Sequence, residues 1–240
     1  MMHSLDGKVI LVTGAAKRIG RAIALRLAKE GARVAIHYGG SEAEARATAA
    51  ECGGAPVFQA NLEKVADIER LFSEVEGHFG RLDGLVNNAA RFTTIEPLKV
   101  TEADWDFIHS VNLKAAFFCN QQAAKRMLAS GGGRIVNISS LGALRPWPNN
   151  AHYCASKAGV VMMTKALAQA FAPLISVNSV APGVIPFGDL DERGQRLVAK
   201  TPAKRAGTGD EIADAVVFFL TASEFITGQI MAVDGGLSQK

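Results

Sequence analysis

The sequence predicts an α/β protein: a doubly wound parallel sheet of about seven strands, with helices on both faces making three layers. Two observations carry this. Short apolar runs alternate with longer stretches of helical periodicity along most of the chain. Each short run is also continuously apolar rather than alternating, which is the pattern of a strand buried on both faces. With right-handed crossovers such a sheet binds ligands at the carboxyl ends of its strands.

Val9-Ile10-Leu11-Val12 is the first such run, and a glycine turn follows it. From Ile19 to Lys29, the residues Ile19, Ile23 and Leu27 recur four apart with Ala24 and Ala28 beside them, predicting a helix. Gly31 ends that helix, and Arg33 to His37 reads as the second strand. Further helices are predicted near 42–52, 64–79, 104–129, 151–171 and 210–221. Further strands are predicted at 56–59, 83–87, Arg134–Ser139, Ile175–Val180 and Gln229–Val233. No repeat or linker interrupts the pattern, so residues 1–240 read as a single domain. Residues 183–209, rich in Gly, Pro and charge, read as an irregular loop at the strand ends that covers the substrate.

The composition narrows the function. Hydrophobic residues make up 48% of the 240, which is too apolar for disorder. A net charge of +3 with no basic block longer than a pair argues against nucleic acid. No apolar run approaches the roughly 18 residues that a membrane span needs. Cys52, Cys119 and Cys154 have neither the even count of a disulfide framework nor metal-ligand spacing. The expectation is a cytoplasmic protein with a small-molecule substrate and no metal, membrane or nucleic-acid partner.

The turn Thr13-Gly14-Ala15-Ala16-Lys17-Arg18-Ile19-Gly20 joins a strand to a helix, the context in which backbone N–H groups and a helix N-terminus receive a pyrophosphate. Arg18 stands where a third glycine would be expected. The second strand ends Ile36-His37-Tyr38-Gly39-Gly40-Ser41, without the carboxylate that binds a ribose 2′-hydroxyl in NAD sites. A missing carboxylate together with an arginine predicts NADP(H), whose 2′-phosphate a guanidinium binds through paired hydrogen bonds.

Tyr153 and Lys157 lie at i and i+4, on one face of the long predicted helix. A phenol with a reference pKa of about 10 needs a neighbouring cation to work near neutrality, and the ammonium is expected to lower it. Ser139-Ser140 ends a strand and so presents hydroxyls at the ligand edge. Asn87-Asn88-Ala89-Ala90 follows another strand, its small residues allowing close approach to a flat cofactor. Asn112 is a polar residue in an apolar helical run, where a locally bonded core amide is the plain alternative.

Taken together these motifs resemble the short-chain dehydrogenase/reductase family of single-domain Rossmann-fold oxidoreductases, from about residue 6 to 237. Pro182-Gly183 and Val233-Asp234-Gly235-Gly236 extend the resemblance towards the C-terminus. It implies Tyr153 as general acid, Lys157 as ribose ligand and modulator of the tyrosine, Ser140 as partner of the substrate carbonyl, and Asn112 as holder of a relay water. It implies cofactor contacts from Gly14, Lys17, Arg18, Ile19 and Gly20 on the turn, and from His37, Tyr38 and Ser41 after the second strand. Asn61, Leu62, Asn88, Ala89, Ala90, Pro182, Gly183 and Ile185 complete that set. A homotetramer built from the helices near 104–129 and 151–171 and from the C-terminal strand and helix is also implied.

Within the family, the arginine-bearing turn, His37-Tyr38, Asn88-Ala89-Ala90-Arg91-Phe92 and Arg145-Pro146-Trp147-Pro148 are similar to the pteridine-reductase branch. Arg91, Phe92, Trp147 and Phe187 are the substrate-side residues this implies. Ser140, where that branch commonly carries Asp, is instead the ordinary choice of carbonyl reductases. The expected activity is therefore NADPH-dependent reduction of a carbonyl or a conjugated C=N bond, pteridine-reductase-like. A 3-oxoacyl-(acyl-carrier-protein) reductase or another ketone/alcohol oxidoreductase is the alternative, and a non-catalytic NADP-binding sensor the alternative from another class. An acyl-carrier partner would need basic residues at the pocket mouth, for which Lys125, Arg126 and Arg145 are the candidates.

Overall fold

The computed structural model describes residues 3–239. Its strands are β1 (Val9–Val12), β2 (Arg33–Tyr38), β3 (Val57–Gln59), β4 (Gly84–Asn87), β5 (Gly133–Ile138), β6 (Ile175–Pro182) and β7 (Ile230–Val233). They form one seven-stranded sheet in the order β3-β2-β1-β4-β5-β6-β7, every neighbouring pair parallel. All four residues of β1 and of β4 are buried, as their unbroken apolar runs require.

The helices are α1 (Arg18–Lys29), α2 (Glu42–Glu51), α3 (Val65–Phe79), α4 (Glu102–His109), α5 (Ala116–Ala129), α6 (Ala151–Phe171), α7 (Glu192–Lys200) and α8 (Gly209–Thr221). Strand alternation divides the core into two slabs. Ile10, Val12 and Ile36 pack with Ile23, Leu27 and Val216 of α1 and α8 on one face. Val9, Leu11 and Leu85 pack with Leu71, Phe72 and Met127 of α3 and α5 on the other. The chain winds from β1 towards β3, then crosses to β4 on the opposite side of β1. That reversal opens a crevice at the carboxyl ends of β1 and β4, where such sheets bind ligands.

The structure departs from the sequence reading in two places that matter. The helix expected over 104–129 is broken: Ser110–Ala115 forms a wider, π-type turn between α4 and α5. Asn112 sits in it, its side chain bonded to the backbone of Arg91 rather than within the helix. Such a bulge accommodates an extra residue without disturbing the apolar periodicity on either side, so periodicity could not reveal it. The expected irregular loop over 183–209 holds α7, capped by Asp191, whose carboxylate accepts from Gly194 N–H at 2.7 Å. Its mostly polar sequence carries too few apolar residues for a period to show.

A buried amide cluster ties the middle of the sheet to the helices behind it. Asn137 Oδ1 accepts from Asn87 Nδ2 at 2.9 Å and from Asn120 Nδ2 at 3.1 Å, while its own amide donates to Thr164 Oγ1 at 3.0 Å. Asn137 is wholly buried, so removing it leaves polar groups without solvent to replace the partner. Asn137→Ala is expected to cost about 3 kcal/mol, lowering Tm by roughly 6–12 °C in calorimetry. A Tm within 1 °C of the parent would contradict this account of the cluster.

Candidate functional site

The carboxyl ends of β1, β2, β3 and β4 border a cleft of about 790 Å³. The turn between β1 and α1 forms one wall, and its glycines are needed by contact. Gly14 has φ +64°, and a Cβ there would lie 3.0 Å from Ala89 Cα. A Cβ on Gly20 would lie 2.2 Å from Gly14 O and 2.6 Å from Asn88 Nδ2. The start of α1 therefore presses directly on the turn. Asn88 locks the contact: its amide donates to Thr13 O at 2.9 Å and to Gly14 O at 3.1 Å. Asn88 lines the cleft, and those two bonds commit its side-chain amide to shaping the turn.

Arg18 opens α1 with φ +56°, in the left-handed region that a residue with a Cβ rarely occupies. Such a conformation costs on the order of 1 kcal/mol. Its exposed side chain makes no hydrogen bond or ion pair among the described residues and borders the cleft. Lys17 beside it is held only by an exposed pair with Glu44 at 3.8 Å. Opposite them, Gly39 and Gly40 also line the cleft, and a Cβ on either would meet nothing within 4 Å. An arginine without a partner faces a strand end without a carboxylate.

His37 and Tyr38, expected among the cofactor contacts, both border the cleft but have most of their surface buried. His37 is 2% exposed; its Nδ1 accepts from Gly14 N–H at 3.0 Å and its Nε2 lies 3.2 Å from Ala60 O. Burial pushes its pKa down to about 4, so the ring is neutral. Tyr38 packs into the core with Ala16, Ala45 and Ala49 and reaches the cleft only as part of its floor. Ser41, Asn61, Leu62, Ala89, Ala90 and Ile185 line the cleft as expected, as does Ile19. Pro182 and Gly183 do not; a Cβ on Gly183 would lie 2.6 Å from Asp234 Cα, so that glycine serves the packing of β6 against the residue after β7.

At the far end of the cleft Arg91, expected on the substrate side, lines the wall and is already engaged with other residues. Its guanidinium pairs with Glu63, donates to Phe107 O at 3.2 Å and lies over the Phe107 ring. Its backbone is clasped by Asn112, whose Oδ1 accepts from Arg91 N–H at 2.7 Å and whose Nδ2 donates to Arg91 O at 2.9 Å. Asn112 Nδ2 also lies 3.2 Å from Ser156 Oγ. The side chain is thus a locally bonded core amide, as the plain alternative had it.

Tyr153, Lys157 and Ser140 lie at the carboxyl end of β5, all buried, and none of them is among the residues lining that cleft. Lys157 Nζ donates to Ile138 O at 2.8 Å, and Ser140 Oγ accepts from Gly142 N–H at 3.0 Å. Burial pushes the Tyr153 phenol up to about 12, partly opposed by its hydrogen bond with Ser140. Burial likewise brings the Lys157 ammonium down to about 8. Removal from water thus outweighs the hydrogen bond with Ser140, and the lowering expected of Lys157 is not among the influences on the phenol.

Aromatic rings surround the phenol. Phe92 meets the Tyr153 ring edge-on at 4.8 Å between centroids, and Trp147 lies parallel to it at 6.1 Å. The loop carrying Phe92 is tied to the start of α6 by Thr93 Oγ1 to His152 Nε2 at 2.7 Å and by Asn150 Nδ2 to Thr93 O at 2.8 Å. Asn150 and His152 escaped the sequence reading, having no motif beyond their nearness to Tyr153. Phe187 is half-exposed at the open side of the cleft. Gln59, Ala60, Glu63 and Val111 also line it and were missed, though the first two lie at the end of β3 where the strand-end rule would have found them. Among the described residues no group of acidic, His and Cys side chains could hold a metal, and no helix is long and apolar enough to cross a membrane.

A family model described as enoyl-(acyl carrier protein) reductase matches residues 14–238. The chain belongs to the short-chain dehydrogenase/reductase family. It is an oxidoreductase of that family. It is similar to the 3-oxoacyl-(acyl-carrier-protein) reductase FabG of Staphylococcus aureus, with 39% identity over 96% of this chain and 98% of the relative. The 3-oxoacyl-(acyl-carrier-protein) reductase of Synechocystis is 37% identical over 98% and 99% of the two chains. A doubly substituted variant of a Serratia marcescens short-chain dehydrogenase/reductase superposes with a TM-score of 0.93 at 36% identity, covering 98% of this chain and all of that one. The similarity to pteridine reductases drawn from the turn has no counterpart among these relatives.

Replacing Arg18 by glycine relieves the left-handed strain while removing the free guanidinium. Arg18→Gly is expected to raise stability by about 1 kcal/mol in denaturant unfolding and to weaken NADPH relative to NADH by tenfold or more. A loss of stability, or an unchanged cofactor ratio, would refute the corresponding half.

Proposed function

We propose that the chain reduces a ketone carbonyl with NADPH, and that its substrates are of the 3-oxoacyl thioester class. The observation carrying the chemistry is a buried phenol, Tyr153, hydrogen-bonded with Ser140 and next to a buried Lys157 at the carboxyl edge of the sheet. For the substrate class, support comes from the two 3-oxoacyl reductases that match this chain nearly end to end. Arg18 and Lys17 on the turn, facing a β2 end without a carboxylate, support NADPH over NADH.

The residues fit a dinucleotide: glycines 14 and 20 leave backbone at the surface of the turn, and the cleft runs from Arg18 to Phe92. Bound there, a reduced nicotinamide supplies hydride. With its pKa pushed up, Tyr153 keeps its proton at neutral pH and is ready to give it to the carbonyl oxygen. Ser140 Oγ, beside the phenol, is placed to hydrogen-bond the same oxygen. The Lys157 ammonium offsets the negative charge that develops on the phenolate as the proton leaves. Asn112 keeps the loop that carries Phe92 in place by clasping Arg91.

Ser140 weighs against a pterin, offering a neutral hydroxyl where a carboxylic acid would serve ring-nitrogen protonation. The expected carrier-docking residues give no support to an acyl-carrier protein. Lys125 and Arg126 lie towards the end of α5, which leads to the amino end of β5, away from the cleft, and Arg126 pairs with Glu76 at 3.0 Å. Arg145 donates to Leu237 O at 2.6 Å. A homotetramer would bury the apolar surface of Leu113, Phe117, Phe118, Met163 and Leu167 on the α5 and α6 side.

Acetoacetyl-coenzyme A and dihydrobiopterin, each assayed with NADPH and NADH, test the reading. The thioester with NADPH is expected to give a kcat/KM at least tenfold above any other pairing; turnover of the pterin alone would overturn the substrate class. Tyr153→Phe is expected to lose about 10²–10⁴-fold in kcat, the usual worth of positioned acid catalysis. In the parent, kcat/KM for reduction should fall as pH rises through about 8, where Lys157 loses its charge. A profile flat to pH 10 would remove Lys157 from the proposed role.

A further inference from the structure

We propose that His37 is a positioning residue for the cofactor turn, holding the Gly14 amide in place as a neutral imidazole protonated on Nε2. The inference rests on the reading of the cleft as a dinucleotide site. Gly14 N–H donates to His37 Nδ1 at 3.0 Å, so that nitrogen carries no proton. Nε2 then carries it and donates to Ala60 O at 3.2 Å. The backbone joins in, with Ala15 N–H donating to His37 O at 2.9 Å. One side chain on β2 thereby fixes the turn after β1 and the chain leaving β3.

Two properties of this arrangement point to positioning. The Gly14 and Ala15 amides are turned inward and satisfied, so the amides that follow them towards α1 are the ones left facing the cleft. The imidazole also has no substitute among its neighbours. Phe58 pairs with it across β3, and Val12 on β1 is apolar. The charged groups on the surrounding elements are Lys17 and Arg18 on the turn and Glu63 and Asp67 after β3. Lys17 pairs with Glu44, Glu63 is paired with Arg91, and Asp67 accepts from Asn61 N–H at 3.0 Å. Burial, not any of these charges, keeps the ring neutral. Protonation of Nδ1 would set a donor against the Gly14 donor with no anion to receive it, and the turn would lose its anchor.

Two variants of the full chain test this: His37→Phe keeps a ring without an acceptor, and His37→Asn keeps an acceptor near the Nδ1 position. NADPH dissociation constants from nicotinamide fluorescence, and kcat and KM with acetoacetyl-coenzyme A, are measured from pH 7 to 4.5. At pH 7, His37→Phe is expected to weaken NADPH about 10- to 100-fold with kcat within about threefold of the parent. His37→Asn should restore affinity to within about threefold. Below pH 5 the parent should lose NADPH affinity more steeply than His37→Asn, the titration of the 2′-phosphate being common to both. Unchanged NADPH binding by His37→Phe overturns the proposal. If that variant does not fold, identical pH profiles for the parent and His37→Asn overturn it. Failure of the parent itself to bind NADPH refutes the cofactor reading instead, a result separate from either.

Discussion

The structure depends on how closely the first turn of α1 approaches the turn that follows β1. Gly20 leaves so little room that a methyl group would sit 2.2 Å from Gly14 O, and Gly14 itself lies against Ala89. Asn88 and His37 hold the two sides of this contact, one through the turn's carbonyls and the other through its first amide. Backbone donors at a helix start attract a phosphate only if they are held in one geometry, because each contributes about 1 kcal/mol or less. The left-handed conformation of Arg18 follows from the same geometry: a turn this tight forces positive φ at the position, and the chain accepts that strain with an arginine. The strained residue is also the one whose guanidinium has no partner among the described residues.

Desolvation governs the groups gathered at the carboxyl end of β5. Tyr153 and Lys157 are both buried, and the loss of water pushes the phenol up, against its hydrogen bond with Ser140, and the ammonium down. The outcome is a protonated acid beside a cation that titrates near neutrality, a combination suited to giving a proton away. The aromatic enclosure of Phe92 and Trp147 sustains that dryness. The loop bearing Phe92 is held in turn by Asn112, Asn150 and His152, so the polar residues nearest the phenol act mainly on the walls around it.

Much of this was legible in the residues. Continuous runs such as Val9–Val12 announced strands buried on both faces, and every one of the seven appears within two residues of its expected limits. The gathering of Tyr153, Lys157 and Ser140 followed from helical spacing and from the rule that ligands bind at strand ends. What escaped were bonds made by side chains to distant backbone. Nothing local announces that Asn88 grips Thr13 and Gly14 or that Asn112 clasps Arg91. The grip of His37 on the Gly14 amide was not legible at the end of a predicted strand, because it depends on β1 and β3 lying to either side. Arg91 looked free because Glu63 and Phe107 come from separate segments of chain. The helix α7 stayed hidden in a polar stretch where capping by Asp191, not apolar periodicity, marks the start.

The central claim is that hydride passes directly from a nicotinamide to a ketone carbon in this cleft. NADPH deuterated at both C4 positions, turned over with acetoacetyl-coenzyme A, tests it most directly by mass spectrometry of the product. The account predicts a 3-hydroxybutyryl thioester carrying one deuterium, bonded to C3. Product without deuterium, or with deuterium found only in the solvent, would contradict it.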